Sequence, residues 1–207
     1  MQTLPNGISL PNSIELFDCH ESVIVSANIQ ELTREVAKNG IDLSWWVSPV
    51  VNAAIRRAEV DFNWKWVALF GEMRQAFGKN SFGWSVCTDD GDCQGAILYQ
   101  VGGVSSIDNK SPTVFCHRLA TATRNRERFT PTPRYRGVGV GLIRLAALHS
   151  LRAGLQGRVT VETYPDPETR QWYRKLGFQE TTKDLDGILD LELVPEAANR
   201  LLTDLLV

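Results

Sequence analysis

Cysteine is scarce and scattered. The 207 residues hold four, Cys19, Cys87, Cys93 and Cys116, and no C-x-x-C spacing occurs, which disfavours a zinc or other metal site. No run of about 18 apolar residues exists, so no membrane-spanning helix is expected. The first twenty residues have neither a basic n-region nor an apolar h-region, which predicts no signal peptide and a cytoplasmic, reducing setting. A large excess of charge is also missing. The formal net charge of −2 argues against a general nucleic-acid or membrane-surface binder. Internal repeats, low-complexity tracts and clear linkers are absent. With 43% hydrophobic and 22% charged residues, the chain has the composition of a folded protein rather than a disordered one. One domain over residues 1–207 is expected, with 1–13 as a leading arm and 195–207 as a C-terminal helical extension.

Periodicity assigns most of the elements that are present. Ile14–Phe17 and Val23–Val25 read as short strands. Ile29–Lys38 reads as a helix capped by Ser26 or Asn28 and closed at Asn39-Gly40. Pro49 opens a helix candidate over Val50–Val60. Trp66, Leu69, Phe70, Met73 and Phe77 place a further helix over Asn63–Phe77. Phe82–Cys87 and Gln94–Val101 form a hairpin around Asp89-Asp90-Gly91-Asp92. Gly102–Pro112 is a polar loop, Thr113–Ala122 a strand, and Thr123–Tyr135 a polar insertion. A helix from Val140 to about Gly154, a strand over Arg158–Thr163 and a helix over Asp166–Leu176 follow. Phe178–Thr181 and Ile188–Leu193 pair, and Pro195 starts a last helix through Leu205. This order predicts an α/β (α+β) fold with a mixed, mostly antiparallel central sheet and helices on both faces.

Arg136-Gly137-Val138-Gly139-Val140-Gly141 is the stretch richest in chemical meaning. Glycine lets the backbone turn sharply and lets another group approach closely. The first turn of a helix offers free N–H groups and a partial positive charge, a seat for a phosphate. The spacing is neither a dinucleotide G-x-G-x-x-G nor a Walker A loop. A plain connection before a buried helix is the alternative.

Arg136-x-x-Gly139-x-Gly141, followed by a helix, a strand and then Trp172-Tyr173-Arg174-Lys175-Leu176-Gly177-Phe178, resembles the GNAT superfamily of acyl-CoA-dependent N-acetyltransferases. The resemblance covers Arg136–Phe178 and is compatible with the hairpin before it. It implies splayed central strands and acetyl-CoA (coenzyme A) as cosubstrate. Backbone groups of Arg136, Gly137, Val138, Gly139, Val140, Gly141 and Leu142 would hold the pyrophosphate. Leu119, Ala120, Thr121 and Ala122 would pair with the pantetheine arm like an added strand. Asp166 stands where many relatives carry Asn, so it caps its helix but loses an amide donor to the cofactor. Tyr173 is the general acid for the departing thiolate. The implied activity is transfer of an acetyl group to a primary amine by direct attack in a ternary complex. A non-catalytic acyl-CoA-binding or scaffold module on the same fold is the alternative.

Glu162 or His117 is the candidate base, against a solvated carboxylate and a satisfied histidine. Glu59 and Glu72 lie on early helices without a register. Arg124, Asn125, Arg126, Arg128 and Arg134 suit a coenzyme phosphate or an acidic acceptor, or else a solvated loop. Trp45, Trp46, Phe62, Trp64 and Trp66 read as core or as an aromatic wall around an acceptor. Cys87 and Cys93 can face each other across the hairpin and are expected to be reduced. The expected partners are acetyl-CoA and an unidentified amine, without membrane or nucleic acid; a homodimer is compatible.

Overall fold

In the computed structural model, residues 2–3, 9–46, 59–185 and 187–203 are described. Strands β1 (Gln2–Thr3) and β2 (Ser9–Leu10) form a two-stranded ribbon. They are followed by β3 (Ser13–Asp18), β4 (Val23–Glu31), a π-helical segment (Val36–Asp42) and a short 3-10 turn (Val60–Asn63). Helix α1 (Trp66–Phe77), β5 (Ser81–Cys87), β6 (Cys93–Val104), β7 (Pro112–Thr121) and β8 (Tyr135–Arg136) come next. Helix α2 (Val138–Arg152), β9 (Val159–Thr163), α3 (Pro167–Lys175), β10 (Phe178–Leu185), β11 (Ile188–Leu193) and α4 (Pro195–Thr203) complete the chain. Nine strands follow the order β10-β11-β9-β7-β6-β5-β4-β3-β8. β7 and β9 run parallel, while β10–β11, β11–β9, β3–β4, β3–β8 and β4–β5 are antiparallel. The expected mixed, mostly antiparallel sheet with helices is therefore present. Among the described residues no helix is long and apolar enough to cross a membrane.

Two compact units divide the chain: one holds 1–10, 99–118 and 143–207, the other 11–98 and 119–142. In the second unit the core gathers Leu32, Ala37, Ile41, Trp45, Trp66, Met73, Leu98, Ala120 and Ala122, with Trp46 and Trp64 packed against it. The tryptophans are thus core residues, and edge-to-face contacts of Trp45 and Trp64 with Trp66 knit them together.

Three expected elements differ. The helix over Ile29–Lys38 is not formed at its start, because β4 continues to Glu31 and pairs Asn28–Glu31 with Cys87–Trp84 of β5. Ala27 and Ile29 are buried while Asn28 is exposed, an alternation that matches a strand and not a helix. Ser26 and Asn28 are consequently ladder residues opposite Glu15 and Ser13, not caps. Helical structure begins only at Arg34 and runs past Asn39-Gly40 to Asp42. Helix α1 starts three residues after Asn63, since Asn63 closes the 3-10 turn. The carboxylate of Asp42 accepts the Trp66 and Val67 N–H groups at 2.9 and 3.4 Å, a cap supplied from a distant segment. Helix α2 begins at Val138 rather than Val140. The helix candidate over Val50–Val60 lies largely outside the described residues. The last helix is described to Thr203.

In the first unit, Glu192 is fully buried and is held by Arg158 Nη1 at 2.9 Å and by the Ser105 hydroxyl at 2.8 and 2.9 Å. Tyr99 and His149 are also fully buried, with the hydroxyl 2.9 Å from Nδ1. Burial lowers the His149 pKa to about 4. The unfolded chain therefore takes up the imidazole proton first as pH falls through the ordinary value, and stability drops between that value and about 4. We predict that His149 contributes about 2 kcal/mol to the loss of stability on going from about pH 7.5 to about pH 5, a share that His149→Gln removes. Urea unfolding of both proteins at the two pH values measures it.

Candidate functional site

Gly137 carries the turn into α2. Its φ of +94° is a left-handed conformation that a side chain resists. The first backbone bond of α2 runs from the Gly141 N–H to the Gly137 carbonyl at 2.8 Å. The N–H groups of Val138, Gly139 and Val140 thus have no acceptor within the helix. Gly137 is exposed and Gly139 and Val140 are half-exposed, whereas Gly141 and Leu142 are buried. A Cβ at Gly141 would collide with Ile14 Cδ1, so this glycine is required by close packing on β3. The glycine stretch therefore divides by role: Gly137–Val140 leave backbone N–H groups without helical acceptors, and Gly141–Leu142 hold the helix against the strands. Arg136, beside the seat, is exposed and pairs with Glu127 at 3.1 Å.

The end of β7 leads toward this helix. Ala120 and Ala122 are buried, while Leu119 and Thr121 are half-buried on the alternate face. The Ala122 N–H donates to the Gln94 carbonyl at 2.9 Å. The Thr121 carbonyl accepts Arg126 Nε at 2.8 Å and Nη2 at 2.6 Å, so it is already engaged by a side chain.

The arginines of the insertion have partners within the chain. Arg126 forms a fork with Asp61, through Nη1 at 2.9 Å and through Nη2, and its Nη1 reaches Glu59 at 3.4 Å. Its guanidinium lies 5.3 Å from the Trp46 ring centre and 5.7 Å from that of Phe129. Arg128 pairs with Glu59 at 2.8 Å. Arg124 donates to Gln94 and to the Cys93 carbonyl and pairs with Asp92 at 3.2 Å. Arg134 pairs with Asp18 at 2.7 Å. Asn125 accepts the Tyr135 N–H and donates to Gln94. These groups fasten the insertion to the body of their own unit instead of standing in solvent. Glu59, placed by the sequence on an early helix without a register, is one of the fasteners, and no local spacing announces its pairing with residues 67 and 69 positions away.

In the first unit, the parallel ladder joins Val114, Phe115 and Cys116 to Val159, Thr160 and Val161. Beyond it, Glu162 and Thr163 pair with Asp190 and Leu189 of β11. His117 and Arg118 continue β7. Arg118 lies 3.8 Å from Glu162, a contact that the sequence reading did not anticipate although a charged residue inside a strand is itself a signal. Burial and the neighbouring guanidinium lower the His117 pKa to about 4. Glu162 is the exposed member of β9, and Thr160, its partner on the same face, is buried. Tyr173 is buried against Trp172 and Phe178, with ring centres at 4.8 and 5.1 Å. Burial, reinforced by the nearby Cys116 thiol, pushes its phenol well above the ordinary range. Burial likewise pushes Cys116 up to about 12. Asp166 caps α3, accepting the Thr169 N–H at 3.1 Å and the Thr169 hydroxyl.

Removing the Arg126 guanidinium takes the fork away from the nearly buried Asp61 and leaves the nearly buried Glu59 paired with Arg128. Arg126→Ala is expected to cost about 3 kcal/mol, and Arg136→Ala, whose pair is exposed, no more than about 0.5 kcal/mol. Chemical denaturation of the two variants beside the parent checks this.

No family model and no curated protein matches the chain. Solved structures do. A GNAT-family acetyltransferase from Listeria monocytogenes 4b F2365 is 14% identical, covering 82% of this chain and 95% of its own, with a TM-score of 0.52. The GNAT domain of S. lividans PAT is 15% identical over 87% of this chain and 96% of its own, with a TM-score of 0.53. AtaTR bound with AcCoA is 15% identical over 84% and 97%, with a TM-score of 0.51. At such identities the likeness is one of architecture, and it is specific: this chain carries the fold of the GNAT acetyltransferases.

Proposed function

We propose that the protein is an N-acyltransferase that moves an acetyl group from acetyl-CoA to a primary amine by direct attack. The observation that carries this reading is the start of α2: a left-handed Gly137 followed by three N–H groups without helical acceptors, at a partly exposed surface. Such a terminus suits a diphosphate. AtaTR, which shares the fold, has been solved with AcCoA bound. The reading assigns one activity to the whole chain rather than one to each unit.

Within the second unit, Val138, Gly139 and Val140 donate to the pyrophosphate, with Arg136 as an exposed cation beside them. Gly141 and Leu142 support the seat from below. The half-buried edge at Leu119–Thr121 offers backbone groups to the pantetheine amides, with the Thr121 carbonyl already taken by Arg126. Asp166 serves as a helix cap rather than as a cofactor donor.

Within the first unit, Tyr173 holds the proton that meets the leaving sulfur. The amine nitrogen bonds to the thioester carbon, the C–S bond breaks, and the thiolate receives a proton. The raised phenol pKa keeps Tyr173 protonated. Complete transfer to a thiolate, whose conjugate thiol titrates near ~8.5, runs uphill, so Tyr173 acts chiefly as a hydrogen-bond donor to the developing anion. Glu162 is the better acceptor for the amine's proton. It is exposed, and protonation removes its charge, whereas His117 would gain a charge in a buried place beside Arg118.

Two substitutions test the two halves of the reading. Gly139→Glu places bulk and negative charge in the seat and is expected to abolish the thermal shift with acetyl-CoA; an unchanged shift locates the donor elsewhere. Tyr173→Phe is expected to lower turnover about 10- to 100-fold while leaving acetyl-CoA affinity intact, and equal turnover removes Tyr173 from the chemistry. Coenzyme A release with a panel of amines is the readout. Acetyl-CoA binding without release across that panel would favour a non-catalytic acyl-CoA-binding module.

A further inference from the structure

Beyond acyl transfer, the hairpin of β5 and β6 brings two thiols together. The Thr88 N–H donates to the Asp92 carbonyl at 3.1 Å, and the Gly91 N–H to the Thr88 carbonyl at 2.8 Å. Residues 88 and 92 are therefore a hydrogen-bonded pair at the mouth of the turn. The next pair outward, Cys87 opposite Cys93, is a non-hydrogen-bonded one, in which facing Cα atoms approach to about 4.5 Å. That separation lies within the range that a disulfide spans, roughly 4.4–6.8 Å. Both side chains belong to the same hydrophobic cluster, so they point to the same face. Both are free thiols.

Their surroundings differ. Gln30 Nε2 donates to Cys87 Sγ at 2.9 Å, and the Ser85 hydroxyl lies 3.9 Å away. The Cys93 thiol donates to the Gly95 carbonyl at 3.5 Å, and its closeness to Cys87 is the largest of the influences that lower the Cys87 pKa to about 7. Cys93 is held protonated, its pKa raised by the neighbouring Cys87 sulfur and by burial. One sulfur is thus prepared to be a thiolate, and the other waits beside it as a thiol. Both residues are buried, and the turn that joins them, Asp89–Asp92, is exposed, so the buried pair lies directly beneath solvent at Cys93 and two residues from it at Cys87. Cys116 is a contrast: it is as buried as the pair, and its thiol is pushed up to about 12.

We propose that Cys87 and Cys93 form an oxidisable dithiol that takes a small peroxide and closes to a reversible disulfide. The Cys87 sulfur attacks one peroxide oxygen, the O–O bond breaks, and Cys87 becomes a sulfenic acid while the departing hydroxide takes up a proton as water. The Cys93 sulfur then attacks the Cys87 sulfur. The S–S bond forms, the S–OH bond breaks, and the hydroxide leaves as water with the Cys93 proton. Two thiols are oxidised and one peroxide is reduced to two waters. The bridge lies at an anchor of the fold. The Cys93 carbonyl accepts Trp45 Nε1 at 2.9 Å and Arg124 Nη2 at 3.1 Å, and the next carbonyl, of Gln94, accepts the Ala122 N–H. Oxidation therefore clamps the strand end from which the segment after β7 hangs.

The sequence makes the test direct, because trypsin releases residues 80–110 as one peptide that contains Cys87 and Cys93 and neither of the other cysteines. The full chain is treated with hydrogen peroxide, denatured, alkylated and digested. The expected peptide is lighter by two hydrogens and carries no alkyl group, and treatment with dithiothreitol before alkylation restores two alkylated sites. Cys116 remains alkylatable throughout. In Cys93→Ser, dimedone should trap a sulfenic acid at Cys87, and in Cys87→Ser it should trap nothing within 80–110. A doubly alkylated 80–110 peptide after peroxide has oxidised Cys19 overturns the proposal. So does a bridge from Cys87 to any other cysteine, or a sulfinic product without a bridge. The mapping on the parent protein decides the matter even where a serine variant fails to fold.

Discussion

The guanidinium of Arg126 is the fastening on which the second unit's irregular segments depend. It forks onto Asp61, reaches Glu59, and donates twice to the Thr121 carbonyl at the end of β7. Trp46 and Phe129 lie near it as aromatic neighbours. A long polar insertion cannot form a core of its own, and its ordering carries a conformational cost that contacts must offset. Here a nearly buried cation meets two carboxylates, a carbonyl and two ring faces, an arrangement that satisfies its donors instead of leaving them to be desolvated alone. Arg124, Arg128 and Arg134 repeat the pattern with partners of their own. The insertion reads as basic in one dimension and is locally neutralised in three.

That neutralisation matters for the seat at Gly137–Val140. Had the arginines projected into solvent, they would have competed for any phosphate nearby. The backbone N–H groups at the start of α2 stay open to an incoming anion, beside Arg136 and its exposed pair with Glu127. Gly141 and Ile14 fix where those N–H groups stand, since the contact permits no side chain on the glycine. The division within the glycine stretch follows from this. Positive φ is needed once, at Gly137, and the close approach is needed at Gly141.

Elements defined by local patterning were legible in the sequence. The hairpin around Asp90-Gly91 shows alternation on both strands and a turn with its own side-chain bonds, such as Thr88 to Asp90 at 2.7 Å. Helix α3 is bounded by Asp166-Pro167 at one end and Gly177 at the other. Elements defined by distant partners were not. Ile29–Glu31 has helix-compatible residues, but the neighbouring strand β5 recruits it into a ladder. The start of α1 is set by Asp42, 24 residues away. The partners of Arg126 are 65 and 67 residues distant, beyond any local spacing rule. For the candidate site the same division holds. The seat could be read as a motif, whereas the Arg118–Glu162 pair and the burial of Tyr173 are properties of the assembled first unit.

Burial in that unit imposes one further constraint on the chemistry. Cys116, His117 and Tyr173 sit close in chain or space, and each is pushed toward its neutral form: the thiol and phenol upward, the imidazole downward. At neutral pH the charge among these side chains is confined to Arg118 and Glu162. In the proposed transfer, a thioester carbonyl acquiring negative charge beside these three side chains would meet neutral groups and the Arg118–Glu162 pair. Negative charge is then accommodated by hydrogen bonds set before the reaction rather than by reorganising water, which is where preorganised sites gain most of their effect. The same neutrality leaves none of these three side chains a strong base. An acceptor amine has to arrive uncharged or lose its proton toward the exposed side, where Glu162 lies. In the proposed reaction, the buried groups would govern departure of the sulfur, and the exposed side at Glu162 would govern which amines can attack.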